Sequence, residues 1–313
     1  MNYNQLIKES PAVSEIGLGA WQLGIKSGWK EMTEDEAITL VQTAYEMGVN
    51  FFDTAPNYGR GTSEQRLGKA LKGYERSKLV INTKFGHTDM GVTNYDAASI
   101  RTSLEGSLKR LQMDYVDSLI IHSPPFDYLD GTKNDHYEIL EQLKAEGKIK
   151  AYGASLDNFK EIETLLNTTG SKVIEVFFNI FHQDAARAFD LAKEKEVGII
   201  VKIPLDSGWL TGKYHANSVF QDIRKRWSTT DIQTRAALVD QVKTIIGAEA
   251  NLTHTSLSFC LTYDAVATII PGNTSMQQLK ENLSAISNPI SKELVQQLET
   301  FYQEEVKSLH IPW

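Results

Sequence analysis

Short apolar runs alternate along the chain with longer stretches in which apolar residues return every three to four positions. The runs fall at residues 16–18, 49–52, 79–83, 116–121, 149–152, 173–178, 197–203 and 265–270. Uninterrupted runs of this length are expected of parallel strands covered on both faces. The intervening stretches read as helices at 34–47, 64–71, 97–111, 135–146, 158–166, 185–196 and 275–286. Thr33 stands as N-cap to the first, in which Ala37, Leu40, Val41 and Ala44 keep helical spacing, and Gly48 stops it. Ser63 takes the same capping place before the second. Eight strand-helix units fit the chain, so the expectation is an α/β protein, a closed (β/α)8 TIM barrel in a single domain over residues 1–313.

Two longer irregular stretches, 123–134 and 206–231, each follow a strand directly. In a barrel these are loops of the C-terminal face, where long insertions shape a site. Trp209 and Trp227 imply that the second loop is packed. No short-period repeat or low-complexity segment suggests further domains.

Composition narrows the partners. Lys and Arg number 32 against 40 Asp and Glu, a formal charge of -8, which disfavours nucleic acid or an anionic membrane as the main partner. Cys260 is the only cysteine, so an internal disulfide and a cysteine-rich metal site are excluded, and its apolar surroundings make it a packing residue. His182, His215 and His254 lack metal-ligand spacing, so no metal site is expected. The opening residues carry no basic segment followed by an apolar core, and no apolar run reaches the length of a membrane span. A soluble, cytoplasmic protein is the expectation.

Polar groups placed where strands end converge on one face of a barrel. Asp53 closes the second run, Lys84 follows the third, His122 follows the fourth, and Tyr58 lies five residues after Asp53. A carboxylate and an ammonium on adjacent strands can pair, and a cation beside a phenol favours its ionised form, lowering a pKa that starts near ~10. Tyr58 then becomes a proton donor, and His122 can hold a substrate oxygen. Each residue alone has an ordinary structural explanation; four at consecutive strand ends with complementary chemistry point to catalysis.

These residues resemble those of the aldo-keto reductase superfamily. Asp53-Thr-Ala-Pro-Asn-Tyr58-Gly, with Ser63-Glu64 and Leu67-Gly68, is similar to its second-strand signature, and Lys84 and His122 fall where its tetrad lysine and histidine belong. Gly17-Leu-Gly-Ala-Trp21, Gly153-Ala-Ser155, Pro204 to Tyr214 and Pro271-Gly272 with Gln278 and Glu281-Asn282 extend the likeness over almost the whole chain. It implies a carbonyl-alcohol oxidoreductase binding NADP(H), with NAD(H) not excluded, and a small-molecule carbonyl or alcohol substrate. It also implies a cofactor set: Asp53, Ser155, Leu156 and Glu175 toward the nicotinamide; Leu205, Ser207, Gly208 and Leu210 toward the pyrophosphate; Gly272, Asn273, Thr274, Gln278 and Asn282 toward the adenosine end; and Gly19, Ala20, Trp21, Pro204 and Lys213 as further cofactor-binding residues. Trp21 walls the substrate pocket in this reading, with Phe126 to Asp130 and Trp209 to Trp227 shaping it.

Three departures accompany the resemblance. Leu156 and Glu175 stand where the family has the asparagine and glutamine that hold the carboxamide, and leucine cannot hydrogen-bond. Lys202 stands where an aromatic ring is usual, leaving Phe178 as a candidate for stacking. No arginine occurs at 273–278 for a 2'-phosphate. A nucleotide-binding regulatory or accessory subunit with little turnover is the alternative, since relatives serve channels in that way.

Overall fold

The computed structural model describes residues 1–24, 31–287, 289–309 and 311–312. Eight strands, β1 (Leu18–Gly19), β2 (Phe51–Asp53), β3 (Val80–Phe85), β4 (Val116–Ile121), β5 (Ile149–Leu156), β6 (Val173–Phe177), β7 (Gly198–Lys202) and β8 (Val266–Ile269), pair in sequence order and in parallel. The cylinder closes between its first and last members. Ile16 and Gly19 bridge Ile269 and Gly272 in parallel, Gly17 N donates to Ile269 O at 2.9 Å, and Ile269 N donates to Glu15 O at 2.9 Å. The (β/α)8 expectation holds.

Two cores follow from strand alternation, because successive side chains point to opposite faces. One face of each strand fills the cylinder with Phe51, Val80, Ile120, Ala151, Val173, Ile200 and Ala267; the other packs Phe52, Ile81, Leu119, Ile121, Ile174 and Val201 against the helices. The inner core includes Leu6, Ile7 and Val13 from an antiparallel ribbon, Tyr3–Asn4 with Val13–Ser14, which stoppers the N-terminal end. Gly198 is required there: a Cβ would lie 2.1 Å from Leu6 O.

The helices α1 (Glu34–Glu46), α2 (Thr62–Leu71), α3 (Ser99–Leu111), α4 (His136–Ala145), α5 (Phe159–Thr168) and α6 (Phe189–Glu194) follow strands β1 to β6. Thr33 caps α1 through a capping box with Glu36, a device worth about 1 kcal/mol. Ser63 does not cap α2. That place belongs to Gly61, and the Ser63 hydroxyl donates instead to Ala20 O at 2.6 Å, 3.0 Å from Thr54 Oγ1. After β7 come two helices the sequence pattern did not announce, α7 (Thr229–Ile246) and α8 (Leu252–Leu261). Helix α8 is buried almost all round and so shows no polar stripe; α7 buries Arg235 on its inner face, which breaks the apolar stripe. Helix α9 (Met276–Ser284) follows β8, and α10 (Lys292–Phe301) is a further unanticipated element. Among the described residues no helix is long and apolar enough to cross a membrane.

Candidate active site

Strands β2, β3 and β6 bring three charges together at the C-terminal mouth of the cylinder. Lys84 Nζ lies 2.5 Å from Asp53 Oδ1 and 3.1 Å from Glu175 Oε2, with all three side chains at most 3% exposed. Lys84 Nζ also donates to Thr54 O at 3.1 Å, and Asn82 Nδ2 to Asp53 Oδ1 at 2.7 Å. Burial works against the Lys84 ammonium, but Asp53 and Glu175 outweigh it and hold its pKa above the ordinary lysine range. Asp53 is pushed up to about 7 by burial, with Lys84 opposing and Glu175 adding. The two rings stand over this floor. Lys84 Nζ is 5.2 Å from the Tyr58 ring centroid, and the Tyr58 and His122 rings meet edge to face at 5.8 Å.

Tyr58 is carried by a loop locked through backbone contact. Gly24 and Gly59 cross so closely that a Cβ on Gly59, whose φ is +60°, would lie 1.9 Å from Gly24 O. Helix α2 braces the loop from below: Ser63 N donates to Tyr58 O, and buried Glu64 accepts from Thr83 Oγ1 at 2.7 Å and Arg110 Nε at 2.6 Å. The expected lowering of the Tyr58 pKa is overturned. Lys84 does pull it down, but enclosure in the protein is the larger effect and Asp53 and Glu175 add to it, leaving the hydroxyl above the usual tyrosine range and protonated at neutral pH. The His122 pKa falls well below the usual histidine range, by enclosure first and then the nearby Lys84, so the ring is neutral there. His87 backs it at 4.9 Å, itself bridged to Tyr95 and Thr93.

A cleft of about 990 Å³ opens over the floor. That volume lies at the upper end for small-molecule and cofactor sites. Its lining includes Gly19, Trp21, Asp53, Tyr58, His122, Ser155, Glu175, Pro204, Leu205, Ser207, Gly208, Lys213, Gly272, Thr274, Gln278 and Asn282, all anticipated from sequence. Lys84 lies beneath it. Ala20, Leu156, Leu210 and Asn273 do not line it. Leu156 follows Ser155 on one strand and so points to the opposite face, into the outer core, where Ala20 and Leu210 also pack. Asn273 turns inward and accepts from Asn282 Nδ2 at 2.8 Å. Phe178, a candidate for stacking, is buried parallel to Phe259 at 5.7 Å, away from the cleft.

The rim contains residues that strand-end reasoning missed. Gln22 and Asn57 line the cleft with buried side-chain oxygens that have no hydrogen-bond partner among the described residues. Lys202 Nζ lies 2.7 Å from Asp157 Oδ1 and donates to Ser155 Oγ at 3.0 Å, and Ser155 Oγ donates to Glu175 Oε1 at 3.1 Å. After β7 the chain turns through left-handed Asp206, Ser207 and Gly208, and the loop beyond folds around a cluster of rings: Trp209 meets Tyr214 at 5.6 Å and Phe220 at 6.0 Å edge to face, and Trp227 at 6.1 Å in a tilted contact. Trp209 is thus the pillar of that loop rather than a cleft wall. Arg224 and Arg226 join the lining, whereas from loop 123–134 only Ser123 does. Thr253, in the first turn of α8, completes one edge. Among the described residues no cluster could hold a metal ion.

The family model described as "Aldo/keto reductase family" matches residues 15–303. The chain is 31% identical to L-galactose dehydrogenase of Arabidopsis thaliana, covering 96% of this chain and 93% of that one. It is 28% identical to a probable voltage-gated potassium channel subunit beta of Oryza sativa subsp. japonica, covering 98% of each. The holo form of an aldo-keto reductase from Bacillus halodurans superposes with a TM-score of 0.82 at 26% identity, covering 99% of this chain and all of that one.

Proposed function

This chain belongs to the aldo/keto reductase family, and from that premise we propose that it is an NAD(P)(H)-dependent oxidoreductase interconverting a small aldehyde, ketone or sugar carbonyl and its alcohol. The observation that carries the reading is the buried Asp53–Lys84 pair at 2.5 Å beneath Tyr58, with His122 edge-on to the same phenol. Tyr58, protonated at neutral pH, donates its proton to the carbonyl oxygen. Lys84, held by Asp53, stabilises the phenolate left behind, and neutral His122 hydrogen-bonds the same oxygen without competing as an acid.

The residues present fit a dinucleotide. The unpartnered oxygens of Gln22 and Asn57 and the polar groups of Ser155 and Glu175 offer acceptors and donors for a carboxamide and riboses, and the cleft is large enough for an extended ligand. When bound, the nicotinamide supplies or accepts the hydride. Asp53, Ser155 and Glu175 serve its ring, Leu205, Ser207 and Gly208 the pyrophosphate, and Gly272, Thr274, Gln278 and Asn282 the adenosine end. NADP(H) is the first choice on family habit, and NAD(H) stays open because no arginine occurs at 273–278. A cytoplasmic setting belongs to the same proposal.

The test is titration with NADPH and NADH, then a panel of aldehydes, ketones, sugars and alcohols with the tighter cofactor. Tyr58→Phe is expected to lower turnover roughly 10²- to 10⁴-fold while leaving cofactor affinity within about twofold. Retained turnover in that variant would sink the acid assignment. The likeness to a channel subunit supports the second reading, an accessory nucleotide-binding protein, and tight binding without turnover across the whole panel would select it.

A further inference from the structure

One ammonium on the cleft floor is shared by two buried carboxylates. Asp53, 2.5 Å from Lys84 Nζ, already matches its charge; Glu175, 3.1 Å away on the other side, adds a second negative charge to the same cation. The network continues through Ser155 to Lys202, whose ammonium lies 2.7 Å from Asp157 Oδ1. Among the described residues, three carboxylates therefore face two ammonium groups along one connected path. Packing does not call for the charge on Glu175, since a glutamine of the same shape keeps an oxygen to accept from Ser155. A surplus charge in a cleft floor is costly until a ligand compensates it.

We propose that Glu175 is a specificity-determining residue which makes this cleft hold the oxidised, cationic nicotinamide in preference to the reduced, neutral one. The inference rests on the dinucleotide reading above and deepens it. A ring exchanging hydride with a carbon whose oxygen meets Tyr58 and His122 lies over the same floor, because Tyr58 and Glu175 are both neighbours of Lys84. One uncompensated charge at that range, acting through a partly dry cleft, favours a cationic ring roughly tenfold. By linkage the bound equilibrium shifts by the same factor toward the oxidised ring and the alcohol, the carbonyl-reduction side, in which the carbonyl carbon takes a hydride from the reduced ring and its oxygen a proton from Tyr58, which is reprotonated from solvent.

The preference also depends on Asp53, which is enclosed by Lys84, Glu175, Tyr58 and Asn82 and whose pKa burial pushes up to about 7. Below that pH a proton on Asp53 removes the surplus, so discrimination strengthens as pH rises through 7.

Equilibrium titrations with NAD⁺, NADH, NADP⁺ and NADPH at pH 6 and pH 8 test this on the full chain. For the wild type, the ratio of reduced-form Kd to oxidised-form Kd is expected to be larger at pH 8. Glu175→Gln is expected to reduce that ratio roughly tenfold at pH 8 and to raise the Tm of the ligand-free protein, while Glu175→Asp keeps the ratio even if both affinities weaken. Asp157→Asn, at an exposed position, lowers the ratio in the same direction and serves if the Glu175 variants fail to fold. An unchanged ratio in Glu175→Gln, or in Asp157→Asn should that variant stand in for it, overturns the inference. Failure of every dinucleotide to bind would instead overturn the cofactor reading on which it rests.

Discussion

The floor of the cleft is held by charges and its rim by rings. Asp53, Lys84 and Glu175 come from strands of one closed cylinder and fix one another at 2.5 and 3.1 Å with almost no exposed surface. Past β7 the rim depends on Trp209, Tyr214, Phe220 and Trp227 meeting edge to face, in a loop that contains its own left-handed turn. Rings tolerate small shifts; a buried ammonium between two carboxylates does not, because each ion's solvation is supplied by the others. The floor is thus suited to proton chemistry that needs fixed distances, and the rim to closing over ligands of varied shape.

The sharpest way to break this contrast is Lys84→Met. It strands two buried carboxylates, so stability is expected to fall by about 3–5 kcal/mol at pH 8, with turnover lost. The sign of its pH dependence is distinctive. Asp53, already raised by burial and now without the opposing Lys84, has a folded pKa still further above its unfolded one, so its contribution is lost as pH rises and the deficit shrinks toward pH 5. Thermal unfolding at both pH values checks this; an equal deficit at both would mean the floor is held by packing rather than charge. On the rim, Trp209→Ala is expected to lower stability by about 3 kcal/mol and to weaken cofactor binding roughly tenfold. Its kcat at saturating cofactor should follow the wild-type pH profile, and a shifted profile would show rim and floor to be one unit. The smallest effect belongs to Gln278→Ala, which removes an oxygen accepting from Thr274 N at 2.8 Å and Thr274 Oγ1 at 2.9 Å. About 1 kcal/mol, or roughly fivefold in cofactor Kd with unchanged kcat, is expected from calorimetric titration.

The same contrast explains what could be read from the chain. Asp53, Lys84 and His122 were legible because a strand end is marked by where an apolar run stops, and a barrel sends every such end to one mouth. Ser155 and Leu156 show the limit of reading by motif: adjacent residues on a strand face opposite ways, so only one of them reaches the cleft. Gln22, Asn57 and Thr253 were not legible because they arrive from a single-turn helix after β1, Trp21–Gly24, a loop and an unanticipated helix, none of which periodicity positions. The direction of the Tyr58 pKa was misjudged for a different reason: the cation beside it was visible in the sequence, but enclosure and the second carboxylate are properties of the assembled cylinder.

The ribbon of Leu6, Ile7 and Val13 that stoppers the cylinder has a consequence for traffic. A vessel sealed at its base fills and empties through one opening, so whatever lies against the floor enters first and leaves last. Arrival and departure at this cleft therefore form a queue, with the slower departure setting the pace whenever the chemistry itself is quick.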